Sequence, residues 1–467
     1  MEARTSFEST APWIMYPDYL AQVCSFWRCT ALSSPSFWTH MDFVLSNSRI
    51  PIRGCMNRAR VHAKRAGESP LQIHIAESGH SSYLNLEEFF KDSFGPVLGR
   101  MKDLELVIRS PFEATSHGLI LKTLLSGCVP QNLTRFSMKS HFSQFNGFIG
   151  SSKDKSDLHK YDISLLIDLT TDHIESIFTH LTVLDMRGIF PKWTSAAYHG
   201  LVELRLSSRL YYTDDVPWNS ITELELARIL QASPGLRILY FQLLIKSNPM
   251  HNTPMIPVYL KDLEVLSIVS QGPSYISMYD RKTLAESIGR LLRLITPGSQ
   301  PLRLTLETDS YGNDYSFGEI KNFFMRSNIV RFCARYAYPP LYELLPYMQN
   351  LQNLAFHSCG FGKGTEVFLA QGEGNPISSR FCGNSWRIHS CQMSLDTLST
   401  IIHMCPSEKL KVFKCQIRRN PTTKFQSNGQ LVHTGELSAM FPSVKFIPST
   451  DRSDDCYDPT AGWDGLE

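Results

Sequence analysis

Two steps of the 467-residue chain repeat one polar triplet, His357-Ser358-Cys359 and His389-Ser390-Cys391. An imidazole two residues from a thiol is a pairing that zinc accepts, but a zinc frame needs further ligands at close, regular spacing. The eleven cysteines do not supply them. The closest two, Cys24 and Cys29, fall in a tryptophan-rich helical pattern with no second pair, so the thiols are assigned to packing. Each histidine sits where a strand runs into a turn, and repetition of that edge accounts for both. Phosphate chemistry fares no better. The run from Gly360 to Thr365 places Gly364 between Lys363 and Thr365, whereas a phosphate cradle needs Gly-Lys-Ser/Thr opening a helix so that amides and ammonium converge. There is no Gly-x-Ser-x-Gly elbow, no His-Glu-x-x-His pair and no dinucleotide fingerprint after a strand. The expectation is no catalytic residue, no metal and no cofactor, in a protein that is not an enzyme.

Charge is close to balanced, 46 basic against 44 acidic residues, so no global field favours nucleic acid or an anionic membrane. The one concentrated feature is 49–65, with Arg49, Arg53, Arg58, Arg60, Lys64 and Arg65 and no acid among them. A basic helix can bind phosphate backbones. Aromatics for base stacking are missing here, and the pattern fits a surface helix whose arginine stems cover a joint, with Val61 and Ala63 partly buried. The first 30 residues lack the order of a secretory leader, and no uncharged apolar run approaches the roughly 20 residues of a bilayer span. Scattered cysteines, odd in number, suit reduced thiols. These features point to an intracellular protein, cytoplasmic or nuclear, with no membrane partner.

The elements that position these residues recur along the chain. "MKDLEL" at 101, "LTRFSM" at 133, "LTVLDM" at 181, "LVELRL" at 201, "LRILYF" at 236, "LEVLSI" at 263, "LQNLAF" at 351, "LKVFKC" at 410 and a looser "FPSVKF" at 441 share apolar first, fourth and sixth positions. Positions four and six alternate like a half-buried strand, and position one turns inward at the strand's entry, the geometry of a leucine-rich repeat. "LRLTLE" at 302 alternates without the first anchor. Between frames, "LILKTLLSGCVP", "ITELELARILQASP" and "LDTLSTIIHMCP" each read as an amphipathic helix ended by proline. In the second, Ser220 and Glu223 are spaced as a capping box. Frame spacing varies from 20 residues (181 to 201) to 59 (351 to 410). The predicted fold class is therefore α/β, an irregular leucine-rich-repeat-like solenoid of parallel strands with helices. Surface loops are expected at 143–160 and from 360, and an acidic disordered tail after 447. Any target-binding face uses solvent-facing positions within the frames, such as Glu203, Arg205, Arg237, Tyr240, Glu264 and Ser267.

Near the start, Leu20, Val23, Cys24, Trp27 and Ala31 keep helical spacing. Ser34 and Pro35 then open a second helical turn that carries Phe37 and Trp38. Val23, Cys24, Trp27, Arg28, Ala31, Leu32, Ser33, Pro35, Ser36 and Trp38, with Phe37 in a leucine position, match the second half of a fungal F-box. Followed by the basic helix and irregular strands, the chain resembles the fungal family of F-box and leucine-rich-repeat proteins. That resemblance divides it into an F-box-like remnant (1–45), a basic helix and linker (46–70), the repeat region (71–447) and the tail (448–467). It implies a substrate receptor of a Skp, cullin and F-box ubiquitin ligase, in which the F-box grips a Skp-type adaptor and the repeats present an unknown protein target. The family's opening Leu-Pro segment has no counterpart in "MEARTSFESTAPWIMYPDYLAQ", so weak adaptor binding or none is expected. In this reading Trp27 and Trp38 close the motif's own small core. The alternatives are a leucine-rich-repeat interaction protein without ligase association and, further off, an enzyme or a nucleic-acid binder using 49–65.

Overall fold

The computed structural model describes residues 16–45, 52–77, 95, 97–108, 114–140, 147–153, 165–208, 220–246, 256–270, 278–308, 314–337, 341–361, 385–404, 410–419 and 431–447. The expected tail, the glycine-rich segment after 361 and Arg49 lie outside them. The chain is mixed α/β, with parallel strand pairing in each of its parts. It divides into two compact units, one of Met1–Gly200 with Asp214–Pro217 and one of Leu201–Thr213 with Trp218–Glu467.

In the first unit the strands β1 (His40–Leu45), β2 (Leu71–Glu77), β3 (Met101–Ile108), β4 (Arg135–Ser140) and β5 (Val183–Arg187) pair in sequence order, all parallel. Register stacks their apolar residues into rows. Met41, Ile73, Leu104, Phe136 and Leu184 form one row, and Phe43, Ile75, Leu106, Met138 and Met186 the next. Every member is buried. The first-position anchors Met101, Leu133 and Leu181 are also fully buried. A parallel sheet needs a crossover between strands, and helices supply it at Ile52–Arg65, Ala114–Ser126 and Thr171–Phe178. Residues 143–160, expected as a loop, contain the strand Gly147–Ser151, which pairs with Leu165–Ile167 and Ile189–Pro191 in a small second sheet. Its Ile149 is buried in that sheet, so apolar burial overrides the loop-like glycines.

The N-terminal corner departs from its sequence pattern. The expected single helix through Ala31 is two, α1 (Tyr16–Val23) and α2 (Ser25–Ser33), broken where Cys24 is extended (φ −159°, ψ 173°). A 3-10 turn follows at Pro35–Trp38 with Pro35 at its start. Trp38 is fully buried and its Nε1 donates to the Ala31 carbonyl at 2.7 Å. Trp27, expected beside it in the core, is 42% exposed. The break at Cys24 re-aims α2, so the shared face inferred from continuous helical spacing does not exist. The basic helix α3 (Ile52–Arg65) packs on this corner. Arg65 lies 4.1 Å over the Trp38 ring, His62 meets the same ring edge-on at 5.0 Å, and Arg58 and His62 both reach Asp18. Ala63 is buried, whereas Val61 is 42% exposed.

The second unit continues the pattern with β6 (Glu203–Ser207), β7 (Ile238–Gln242), β8 (Val265–Ser270), β9 (Leu302–Thr308), β10 (Ile329–Tyr336), β11 (Asn353–His357), β12 (Ser385–His389), β13 (Leu410–Phe413) and β14 (Lys445–Ile447), again parallel and in sequence order. Leu204, Leu239, Leu266, Leu304, Phe332, Leu354, Trp386 and Leu410 make one buried row, and Leu206, Phe241, Ile268, Leu306, Ala334, Phe356, Ile388 and Val412 the other. The Glu223–Ala232 helix does carry a capping box, formed by Thr222 and Glu225 and not by Ser220 and Glu223. Ser220 is instead in a short strand paired with Leu244, which moves the helix start two residues on. Glu223 is then used differently, buried against Arg293 at 2.8 Å.

The His-Ser-Cys steps take their meaning from this stacking. After β11, β12 and β13 come Ser358, Ser390 and Lys414 with φ of 55°, 53° and 48°, each followed by an inward cysteine. The Cys359 amide donates to Cys391 Sγ (3.3 Å) and the Cys391 amide to Cys415 Sγ (3.4 Å). The three thiols donate to the carbonyls of Ala334, Phe356 and Ile388. Sulfur thus satisfies backbone groups that a bend in the chain would otherwise leave buried and unpaired. Burial pushes the Cys391 thiol well above its usual range, and its bond to Cys391 together with burial does the same for Cys415.

Candidate interaction faces

Three surfaces gather residues capable of recognition. The first is the N-terminal corner. Tyr19, Val23, Phe26, Trp27, Leu32 and Phe37 expose between 36% and 71% of their surface within nineteen residues. Cys24 and Arg28 are exposed with them, and Arg28 Nε donates to the Ala21 carbonyl. Of the predicted motif residues Val23, Cys24, Trp27, Arg28, Ala31, Leu32, Pro35, Phe37 and Trp38, only Ala31 and Trp38 are buried. Burial divides the motif sharply. Two residues fasten the corner, and six large apolar side chains face outward.

The second surface is the polar face of the first unit's sheet, opposite the buried rows. Register sets Asp42, His74, Glu105, Ser137 and Asp185 side by side, with His40, Gln72, Asp103 and Arg135 in the adjacent row. His40 Nε2 lies 2.9 Å from Asp42 Oδ1, and His74 Nδ1 lies 3.8 Å from the same oxygen and 3.6 Å from Glu105 Oε2. The two imidazole rings meet edge-on at 4.3 Å. Lys139 bridges Glu105 (2.8 Å) and Asp185 (3.1 Å). The hydrogen bond to Asp42 raises the His40 pKa, while burial and the neighbouring His40 charge lower that of His74. Burial works to raise the Glu105 carboxyl, but the Lys139 ammonium outweighs it and holds the group below its usual range. No motif spacing in the sequence points to this cluster. Its signal was present as a His-x-Asp on one strand and a histidine on the polar side of "LQIHIAE".

The third surface is the polar face of the second unit. Of the six predicted target-facing residues, Arg205, Tyr240 and Ser267 stand in one row across three neighbouring strands. Glu203, expected to face solvent, is 3% exposed because its carboxylate is folded against Arg205. Arg237 and Glu264 precede their strands and pair with each other at 2.8 Å, so they stand at the sheet's entry edge. Further along, register brings Arg303 beside Arg331, and Arg387 beside Lys411. Cys333 and Ala355, on the same face, are short enough that nothing of them reaches solvent. Burial lowers the Arg331 pKa, and the like charges of Arg303 and Arg387 lower it further. Glu307 enters this region paired with Arg335 at 3.5 Å. The sequence frames missed these arginines because they come from strands without a first-position anchor, or with a weak one.

Among the described residues, no helix is long and apolar enough to cross a membrane. No protein-family model matches the chain, and no curated protein matches it.

Proposed function

We propose that this chain is a protein-interaction scaffold, the substrate receptor of a Skp, cullin and F-box type of ubiquitin ligase. Its N-terminal corner is the F-box-like remnant that meets a Skp-type adaptor. Its two stretches of parallel strands are an irregular leucine-rich-repeat-like solenoid that presents a target, and the receptor itself does no chemistry. The observation that carries this reading is the exposed apolar cluster from Tyr19 to Phe37, anchored by a fully buried Trp38. A surface so rich in exposed aromatics suits a protein partner, since a few such anchors supply most of the energy of an interface. The arginine cluster of the second unit, Arg303 with Arg331 in one row and Arg387 in the next, suits an acidic segment of that target. The basic helix counts against a nucleic-acid reading, because Arg58 and Arg65 are engaged with Asp18 and Trp38.

Titration of the purified chain with a Skp-type adaptor, followed by calorimetry, tests the assignment. Weak binding at most is expected, because the family's opening Leu-Pro segment has no counterpart in the sequence, and a Phe26→Ala, Trp27→Ala double variant should weaken it by about tenfold or more per lost anchor without lowering the melting temperature. A wild-type chain that binds no adaptor supports the alternative, a repeat protein without ligase association. Binding that survives the double variant would move the contact away from this corner.

A further inference from the structure

We infer that His40, Asp42 and His74 form a zinc site on the polar face of the first unit's sheet. The three ligand atoms lie within 4.8 Å of one another on adjacent parallel strands. Tetrahedral zinc with bonds of about 2.0 to 2.1 Å holds its ligand atoms about 3.3 Å apart. The His40 to Asp42 and His74 to Asp42 separations of 2.9 and 3.8 Å straddle that value. The two imidazole ligand atoms, within 4.8 Å of one another, come to the ion by side-chain rotation. Glu105 Oε2, 3.6 Å from His74 Nδ1, is the nearest fourth donor, and it is the carboxylate oxygen that Lys139 does not hold.

The surroundings are those a metal-binding histidine needs. Gln72 Oε1, 3.2 Å from His40 Nδ1, accepts that nitrogen's proton and leaves Nε2 as the ligand. A ligating imidazole characteristically has such an outer hydrogen bond fixing its tautomer and ring plane. His40 and His74 keep 31% and 30% of their side-chain surface open, so an ion can enter from solvent, while Asp42 is 9% exposed and held in place. Binding exchanges one charge for another. Zinc displaces the proton that His40 Nε2 shares with Asp42, that proton leaves to solvent, and the metal takes the lone pair. The groups facing His40 are Asp42 on its own strand, Gln72 and His74 on β2, and Asp103 on β3, while Glu105 on β3 and Arg135 on β4 act on His74. A bound ion would tie β1, which carries the N-terminal corner, to β2.

The test is titration of the chelator-stripped full chain with zinc alone, in competition with a chromogenic chelator. One equivalent is expected to bind. His40→Ala and His74→Ala should each weaken it by about a hundredfold or more, beyond what loss of an outer-sphere partner costs. Asp42→Asn should weaken it as well, and His180→Ala, an exposed histidine outside the cluster, should leave it unchanged. Zinc should raise the melting temperature of the wild type and not of the two alanine variants. Absence of binding, equal binding by the histidine variants, or a thiolate charge-transfer band in the cobalt-substituted protein would overturn the inference, the last by placing the metal on cysteine.

Discussion

At the scale of single residues, the pair His40 and His74 shows how position on a sheet sets chemistry. Both are imidazoles on the polar face, their rings in contact, yet their pKa values move in opposite directions. His40 is raised by its hydrogen bond to Asp42, and His74 is lowered by burial and by the adjacent positive charge. The linkage follows from these signs. The stability His40 adds is complete below its unfolded pKa near 6.5 and is lost as pH rises through its higher folded value. His74 does the reverse, costing stability as pH falls below its unfolded value, because the folded state resists charging it. Metal-free protein followed by imidazole NMR should show His40 titrating above, and His74 below, an exposed histidine. Asp42→Asn should bring His40 down. Equal midpoints for the two rings would contradict the geometry.

At the scale of elements, the turns after β11, β12 and β13 are the most regular local feature of the chain. Each places one residue at positive φ and then turns a cysteine inward. The thiol of Cys391 accepts from the Cys359 amide and donates to the Phe356 carbonyl, so it serves two neighbouring strands at once. Removing it orphans a buried amide, whose desolvation costs about 1 to 3 kcal/mol. Cys391→Ala should destabilise the protein by that amount in urea denaturation, while alanine at the exposed Cys29 should change little. Trp38 plays the equivalent part in the N-terminal corner. It is the side chain on which α2, the 3-10 turn and α3 converge, whereas Trp27 is exposed.

For the whole molecule, the candidate faces are divided between the two units. The apolar corner and the histidine cluster belong to the first unit, and the arginine cluster belongs to the second. In the proposed scaffold the corner serves the adaptor and the arginines serve the target. An acidic peptide should bind the full chain with an affinity that falls as salt is raised, since exposed charge pairs are screened over about 8 to 10 Å at ordinary ionic strength. Arg331→Glu with Arg387→Glu should abolish that binding and leave adaptor binding intact. Salt-insensitive binding, or binding unaffected by the reversal, would remove the arginine cluster from target recognition.

Much of this was legible in the sequence, because alternation is a local property. A strand with leucine at its fourth and sixth frame positions must bury that face wherever the strand ends up. Leu104, Leu204, Leu239 and Leu354 do so, as do the anchors Leu201, Leu236 and Leu263. The helices ended by proline were equally local, since amphipathic spacing and a stop signal lie within a dozen residues. What alternation cannot supply is the lateral neighbour. Parallel pairing joins residues across a crossover, so the meeting of His40 and Asp42 with His74, or of Arg303 with Arg331, depends on register. Motif spacing failed for the same reason, because the imidazoles of His40 and His74 are 34 residues apart in sequence and 4.3 Å apart in space. The tertiary structure also decided which half of the aromatic corner is core. One extended residue, Cys24, breaks the helix, and that rotation leaves Trp38 inside and Trp27 facing solvent.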